Sequence, residues 1–418
     1  MSQKTILILG GSYAGVATAH YLLKHVIPSL PQKQTYKIIL VSTSSHFFCR
    51  PTSPRALTSE HAFSEDKPLF VPLAKAFAQY DNNSKSGGIQ LVHGTATHLD
   101  DKTRTVSVFV PADNAQQKIE YHALVIATGA TAVSPLLGLF GEHTNTEKAW
   151  QELRKKLPTA KTIIIAGGGP TGVETAGELG RYLNGRAGWF GSNSSSNNKS
   201  TITVVTKSSQ LLPDLPLQLA QKAEAQLAKL GVSVIKNRKI IAVTPPEAGV
   251  VNKDLTHLTD SAVIALDNGE SIEADLYIPA TGVSPNTGFI DKQLLDQEGY
   301  VAVDSTLRLP NSGPRVYAIG HVSSCQPRAI HAIMNQTPVL CENLKRDLLA
   351  AGEPQKVEYR ELEPETKKSQ LVVIGGGGVG LAFGWKIPGF LVWLIKGRDY
   401  WLGMTPGMWN GKQFDKAG

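Results

Sequence analysis

The stretch Thr5-Ile6-Leu7-Ile8-Leu9-Gly10-Gly11-Ser12-Tyr13-Ala14-Gly15 limits what this chain can fold into more than any other. An unbroken run of leucine and β-branched residues reads as a strand buried on both faces, and the small residues after it open a helix. Gly10 allows the tight turn and Gly15 lets the helix lie close to the strand. Free N–H groups at the helix start, helped by its dipole, suit a pyrophosphate. Ser12 stands where the motif usually has its second glycine, with Ala14 on the same turn. The chain then repeats the device in Thr162–Glu174, with all three glycines present as Gly167, Gly169 and Gly172. Each copy is answered downstream by a strand and an Ala-Thr-Gly turn, the first ending in Thr128-Gly129 and the second in Thr281-Gly282. A repeat of this length predicts two α/β dinucleotide-binding domains.

The 418 residues leave room for two or three domains with their own cores. No run of about 18 or more apolar residues occurs, so no membrane-spanning helix is expected. The N-terminus has neither a secretory core nor the glycine of a myristoylation signal, which points to a cytoplasmic protein. Cys49, Cys325 and Cys341 are far apart and form no C-x-x-C pair. They predict neither a redox disulfide nor a metal site, and fit a reducing compartment. The net charge is +7, and residues 366–418 carry seven Lys/Arg against two Asp/Glu. That tail suits anionic lipid or nucleic acid, or plain solubility.

The first helix is expected over Ala14–His25. The second strand, Tyr36–Val41, runs into Ser42-Thr43-Ser44, where such folds commonly place an acid against a ribose hydroxyl. His46-Phe47-Phe48-Cys49-Arg50-Pro51 follows, either flanking a cofactor or forming an ordinary packed loop. Residues 88–122 read as a β-meander, Thr146–Leu157 as a linking helix, and 185–198 as a flexible surface insertion whose two glycosylation sequons are discounted. The second domain's strand Thr201–Val205 ends in Thr206-Lys207-Ser208. No carboxylate stands there to repel a 2′-phosphate, so Lys207 is expected to admit NADPH; the plainer alternative is a solvated lysine. Leu215–Leu230 reads as an amphipathic helix. Val316–Gly320 is a strand ending in glycine, followed by His321 and a helix over Pro327–Leu349.

The acidic segment Glu353–Glu365 leads to a separate C-terminal unit. Its Gly375–Gly378 run reads as a glycine-rich hairpin and not a third nucleotide loop, because no further α/β repeat follows. Four of the six tryptophans (Trp385, Trp393, Trp401 and Trp409) fall here, near Lys386, Lys396 and Arg398. Such a surface suits a membrane interface, the mouth for an apolar substrate, or core packing.

With these motifs placed, the chain resembles the apoptosis-inducing-factor-like branch of the two-dinucleotide-fold flavoproteins. That branch includes ferroptosis suppressor protein and is related to type II NADH dehydrogenases. The resemblance covers nearly the whole chain and rests on Gly10–Gly15, Gly167–Glu174, Thr281–Asn286, and the tail pieces Gly378–Gly380 and Leu394–Tyr400. It implies two Rossmann-like domains with β-meander insertions and a small C-terminal domain. FAD-binding segments are expected at 1–147 and 276–350, the NAD(P)-binding domain at 148–275, and a membrane- or quinone-facing unit at 351–418. FAD would meet Gly10, Ser12, Ala14, Gly15, Ser42 and Arg50, together with Thr128, Gly129, Gly320 and His321. NAD(P)H would meet Gly167, Gly169, Gly172, Lys207, Thr281 and Gly282. Hydride would pass through flavin to a quinone or another small acceptor, with Glu174 positioning nicotinamide or assisting a proton transfer and Lys396 near the flavin or acceptor. The chain departs from the branch at Ser42, which replaces the ribose acid, and at His321, which replaces the aspartate of a Gly-Asp pair. Peripheral contact with a lipid-droplet, mitochondrial or other membrane fits this reading. The other reading is a signalling or binding protein of the same fold, with weak redox activity and a basic tail; nucleic acid is not the expected partner.

Overall fold

The computed structural model describes residues 3–63, 68–80, 88–185, 200–250, 258, 260–350 and 357–416. The expected insertion and its sequons lie outside these residues, apart from Gly185 and Ser200, as does the start of the acidic segment. In chain order the first elements are β1 (Lys4–Leu9), α1 (Tyr13–Tyr21), β2 (Tyr36–Ser42), β3 (Ile89–His93) and β4 (Ala123–Ile126). Helix α2 (His143–Lys156) leads to β5 (Thr162–Ala166), α3 (Pro170–Asn184), β6 (Thr201–Val205), α4 (Leu217–Lys229), β7 (Val232–Ile235) and β8 (Leu276–Pro279). The chain returns through β9 (Val316–Ala318) and α5 (Ile330–Leu349). It closes with β10 (Gln370–Ile374), β11 (Gly377–Ala382) and β12 (Trp385–Lys386).

Two parallel sheets result, ordered β9-β4-β1-β2-β3 and β7-β6-β5-β8. The unbroken apolar runs are explained by burial on both faces. In β1, Ile6 and Ile8 pack with α1 and α5, while Leu7 and Leu9 face the meander residues Val106 and Val108. In β5, Ile163 and Ile165 pack on α3, and Ile164 and Ala166 face Ile264 and Leu266 of the second meander. Each large side chain so buried contributes roughly 1.5–3 kcal/mol.

Several boundaries differ from the sequence expectation. Gln90–His93 belongs to the parallel sheet as its edge strand β3, and the meander proper is 95–120. The domain boundary expected at 275/276 would cut β8 from its sheet; β8 pairs with β5, so the second domain runs on through Pro279. Helix α4 starts at Leu217 because Pro216 occupies its N-cap, and α5 starts at Ile330 after an extended Ala329.

The C-terminal glycine run is a hairpin, with Ile374 opposite Gly377. The tail shares the cores of its neighbours. Val372, Ile374, Val379 and Leu381 join the cluster of Val173 and Leu179 on α3, whereas Phe414 joins the first domain's core.

Candidate functional site

The two glycine turns are built alike. Gly10 has φ +116° and Gly167 φ +114°, a region that side chains avoid. A Cβ on Gly15 would lie 1.8 Å from the Gly10 carbonyl oxygen, and one on Gly172 would lie 2.0 Å from that of Gly167. Each helix therefore starts against the backbone of its own strand turn. Ser12 takes the N-cap position of α1 but makes no side-chain capping bond; Gly169 caps α3.

In front of the first turn lies a cavity of about 430 Å³, in front of the second one of about 970 Å³. Ser12, Ala14, Ser42, Arg50, Thr128 and Gly129 all line the first, together with His321. Gly167, Gly169, Lys207, Thr281 and Gly282 line the second. Gly15, Gly172 and Gly320 line neither, and act through backbone approach. The Gly320 N–H donates to Gln336 Oε1 at 3.2 Å.

The strand-end hydroxyls also match. Ser42 Oγ donates to the Ser44 carbonyl at 2.6 Å and accepts from its N–H at 3.3 Å. Thr206 Oγ1 accepts from the Ser208 N–H at 3.3 Å. Both shape their own loops, so Ser42 is not simply a weaker copy of the missing acid.

The two cavities meet. Arg50, Leu137, Pro170, Thr171 and Val283 wall both. A ribbon of Ala130–Ala132 against Val283–Pro285 ties the two Ala-Thr-Gly turns together. Asn286 locks it, accepting from Thr128 Oγ1 at 2.8 Å and from Thr131 Oγ1 at 2.7 Å, and donating to the Thr128 carbonyl at 2.8 Å. Arg50 reaches only carbonyls, those of Leu137 at 3.3 Å and Ala130 at 3.4 Å, and among the described residues no carboxylate pairs with it. A half-buried guanidinium with two long contacts, open to both cavities, is a ready anion or carbonyl-oxygen receptor.

The third wall is the tail, through Lys396 and Trp401. Glu174 lines this cavity too, but its Oε1 is already engaged. It accepts from Lys396 Nζ at 2.6 Å and from the Val373 N–H at 3.0 Å, with both side chains buried. Lys396 also donates to the Leu371 carbonyl at 3.0 Å. Burial pushes the Glu174 carboxyl upward against the downward pull of Lys396. One turn along α3, Glu178 takes Arg55 at 2.9 Å and the Tyr400 hydroxyl at 3.0 Å. Sequence reasoning missed Glu178, Arg55 and Tyr400; the i, i+4 spacing of the two glutamates was the available signal.

His321 donates through Nε2 to the Arg328 carbonyl, and burial lowers its pKa, helped by the nearby Arg50 and Arg328 charges. The ring is thus held through its Nε2 at the position where the resemblance led to an aspartate. Cys49 is buried and its thiol pushed up to about 12 by desolvation; Cys341 is buried and raised as well. All three cysteines are free.

The sequence model of pyridine nucleotide-disulphide oxidoreductases matches residues 4–337. The chain belongs to this family. It is an oxidoreductase of the apoptosis-inducing-factor-like branch, and its cofactors are FAD and NAD(P)H. It is 51% identical over 420 residues to oxidoreductase phnG of Penicillium herquei, spanning 100% of this chain and 98% of that one. It is 26% identical to apoptosis-inducing factor 1 of Saccharomyces cerevisiae over 96% of both chains. The solved structure of NDH2 from Plasmodium falciparum in complex with NADH shares the fold, with a TM-score of 0.66 at 16% identity, covering 100% of this chain and 99% of that one.

The residues present fit both cofactors. Ser12 and Ala14 at the start of α1 can take a pyrophosphate. Arg50 supplies the cation, and Tyr13 lines the same cavity. In the second cavity Lys207, Arg238 and Lys239 supply positive charge around Gly169. The family's redox disulfide has no counterpart in this chain.

Proposed function

We propose that the protein oxidises NAD(P)H and delivers the electrons through FAD to a quinone-type acceptor at a membrane surface. Bound in the two cavities, the cofactors supply the hydride chemistry. Arg50 and the Asn286-locked ribbon, which stand at the wall common to both cavities, would position the two cofactors against each other. Lys396, held by Glu174, lines the first cavity and would stand where a bound flavin could be stabilised electrostatically. Trp401 excludes water on that side.

The observation that carries the acceptor is the tail's outer surface. Phe383, Trp385, Phe390, Leu394, Ile395 and Met404 are exposed on the unit whose inner side chains wall the cavity, with Trp385 at 76% and Phe390 at 68%. Among the described residues no helix is long and apolar enough to cross a membrane. An apolar face with Lys386 beside it suits shallow interfacial contact.

The test compares a small soluble quinone with a long-chain quinone in anionic liposomes, using the Trp385→Ser/Phe390→Ser double variant. Turnover with the soluble quinone should persist while turnover with the liposomal one falls at least about tenfold, roughly 1.4 kcal/mol of lost interaction. Equal use of both by variant and wild type would sink the proposal.

A further inference from the structure

Beside the first cavity, three histidines and one glutamate from three separate stretches gather around the Glu142 carboxylate. His46 follows the loop after β2, His93 ends β3, and Glu142 and His143 open α2. Ligand atoms of His46, Glu142 and His143 all lie within 4.8 Å of one another. His93 Nε2 is 2.8 Å from Glu142 Oε2, His46 Nδ1 is 3.9 Å from Oε1, and His143 Nδ1 is in direct contact with Oε1.

A simple ion-pair hub explains this poorly. The Glu142 carboxylate is already served by the Ser45 N–H at 2.9 Å, Ser45 Oγ at 2.9 Å and the His143 N–H at 3.0 Å. The imidazoles of His143 and His93 bring the total above the roughly four lone pairs it can offer. The His46 and His143 rings sit 3.7 Å apart between centroids, so charging both would set like charges face to face. Neutral imidazoles offer lone pairs, and converging lone pairs with a carboxylate are what a borderline divalent cation takes.

We propose that His46, His93, His143 and Glu142 form a structural binding site for a divalent transition metal, with Zn²⁺ as the cation of choice. Three imidazole nitrogens and one carboxylate oxygen make a closed four-coordinate set, whose ligand atoms around zinc would stand roughly 3.3 Å apart. His46, His143 and Glu142 already stand close together, and His93 Nε2, 3.2 Å from the Thr43 carbonyl, would leave that contact to complete the set. The supporting contacts suit it. Ser45 orients the carboxylate through its N–H and its hydroxyl. The cation pins the Ser42–His46 loop, which lines the first cavity where the ribose acid is missing, to β3 and to α2. The site does not depend on which acceptor the enzyme uses.

The flavin-loaded full chain is stripped with a chelator and dialysed against Zn²⁺, and zinc and flavin are quantified separately. One zinc per chain is expected, with a rise in melting temperature on zinc addition. His93→Ala, His143→Ala and Glu142→Gln should each weaken binding at least about tenfold and abolish the thermal shift. Cys325→Ser, which removes the more exposed thiol, should bind zinc like wild type. Wild type taking up no more zinc than the His93→Ala/His143→Ala double variant would overturn the proposal. So would zinc uptake that follows Cys325 instead of the histidines. If the double variant loses flavin, Glu142→Gln, which keeps the side-chain volume, gives the decisive comparison.

Discussion

The two dinucleotide domains share a backbone scheme down to single hydrogen bonds. Gly10 N–H donates to the Val41 carbonyl at 2.7 Å, and Gly167 N–H to the Val205 carbonyl at 2.8 Å. Ala127 and Ala280 return the same bond to Leu9 and Ala166. What differs is the wall facing each turn. The first is closed by His321, the Ser42–His46 loop and the tail residues Lys396 and Trp401. The second is ringed by Lys207, Arg238 and Lys239. A repeated turn grips any pyrophosphate, so each domain takes its identity from segments outside the repeat.

The largest test breaks the symmetry at the turn itself. A methyl group at either helix start collides with backbone, so Gly15→Ala should lose flavin altogether. Gly172→Ala should keep flavin but lose NAD(P)H oxidation about a hundredfold or more, since close approach there positions the second cofactor. Absorbance of the bound flavin and single-turnover reduction read the two outcomes. Loss of flavin from Gly172→Ala would show that the sites are not separable.

The tail is anchored differently on the two domains, and the next two tests separate the anchors. On the second domain the anchor is the buried Lys396–Glu174 pair. Lys396→Met leaves a buried carboxylate unpaired and should cost about 3–5 kcal/mol by urea unfolding, much of it recovered in Lys396→Met/Glu174→Gln. A single variant within about 1 kcal/mol of wild type would make the pair ornamental.

On the first domain the anchor is His20, whose Nε2 donates to the Trp409 carbonyl at 2.9 Å while Nδ1 meets the Tyr80 hydroxyl at 2.8 Å. Burial lowers its pKa to about 4. The unfolded chain then binds the extra proton between the usual 6.5 and about 4, so stability is lost as pH falls through that window. About 2 kcal/mol should go between pH 7 and pH 5. His20→Gln should lack that part of the slope, against a background that includes His122, also lowered to about 4. Parallel pH–stability curves for the two proteins would assign the loss elsewhere.

The smallest effect concerns the cationic wall. Lys207→Ala/Arg238→Ala should raise the KM for NADPH about tenfold and that for NADH less than about twofold, because only the former carries a 2′-phosphate. Equal changes would mean that the cations serve the shared pyrophosphate.

The sequence by itself determined the architecture. The apolar runs of β1 and β5, the glycine spacings and the paired Ala-Thr-Gly turns are local patterns whose period dictates buried parallel strands and phosphate-ready helix starts. The C-terminal hairpin was equally legible, because no α/β repeat followed its glycines. Tertiary structure alone decided which side chains meet. Glu174 sits 222 positions from Lys396, and Glu142 stands 97 positions from Ser45. Neither spacing carries a period, since chain order does not encode which segments close on one cavity. The same holds for Ser42, whose hydroxyl turns to its own loop. Backbone hydrogen bonding and two-sided burial repeat along the chain and leave a trace in it; convergence of charges from distant segments is fixed only when the sheets, α3 and the tail pack together.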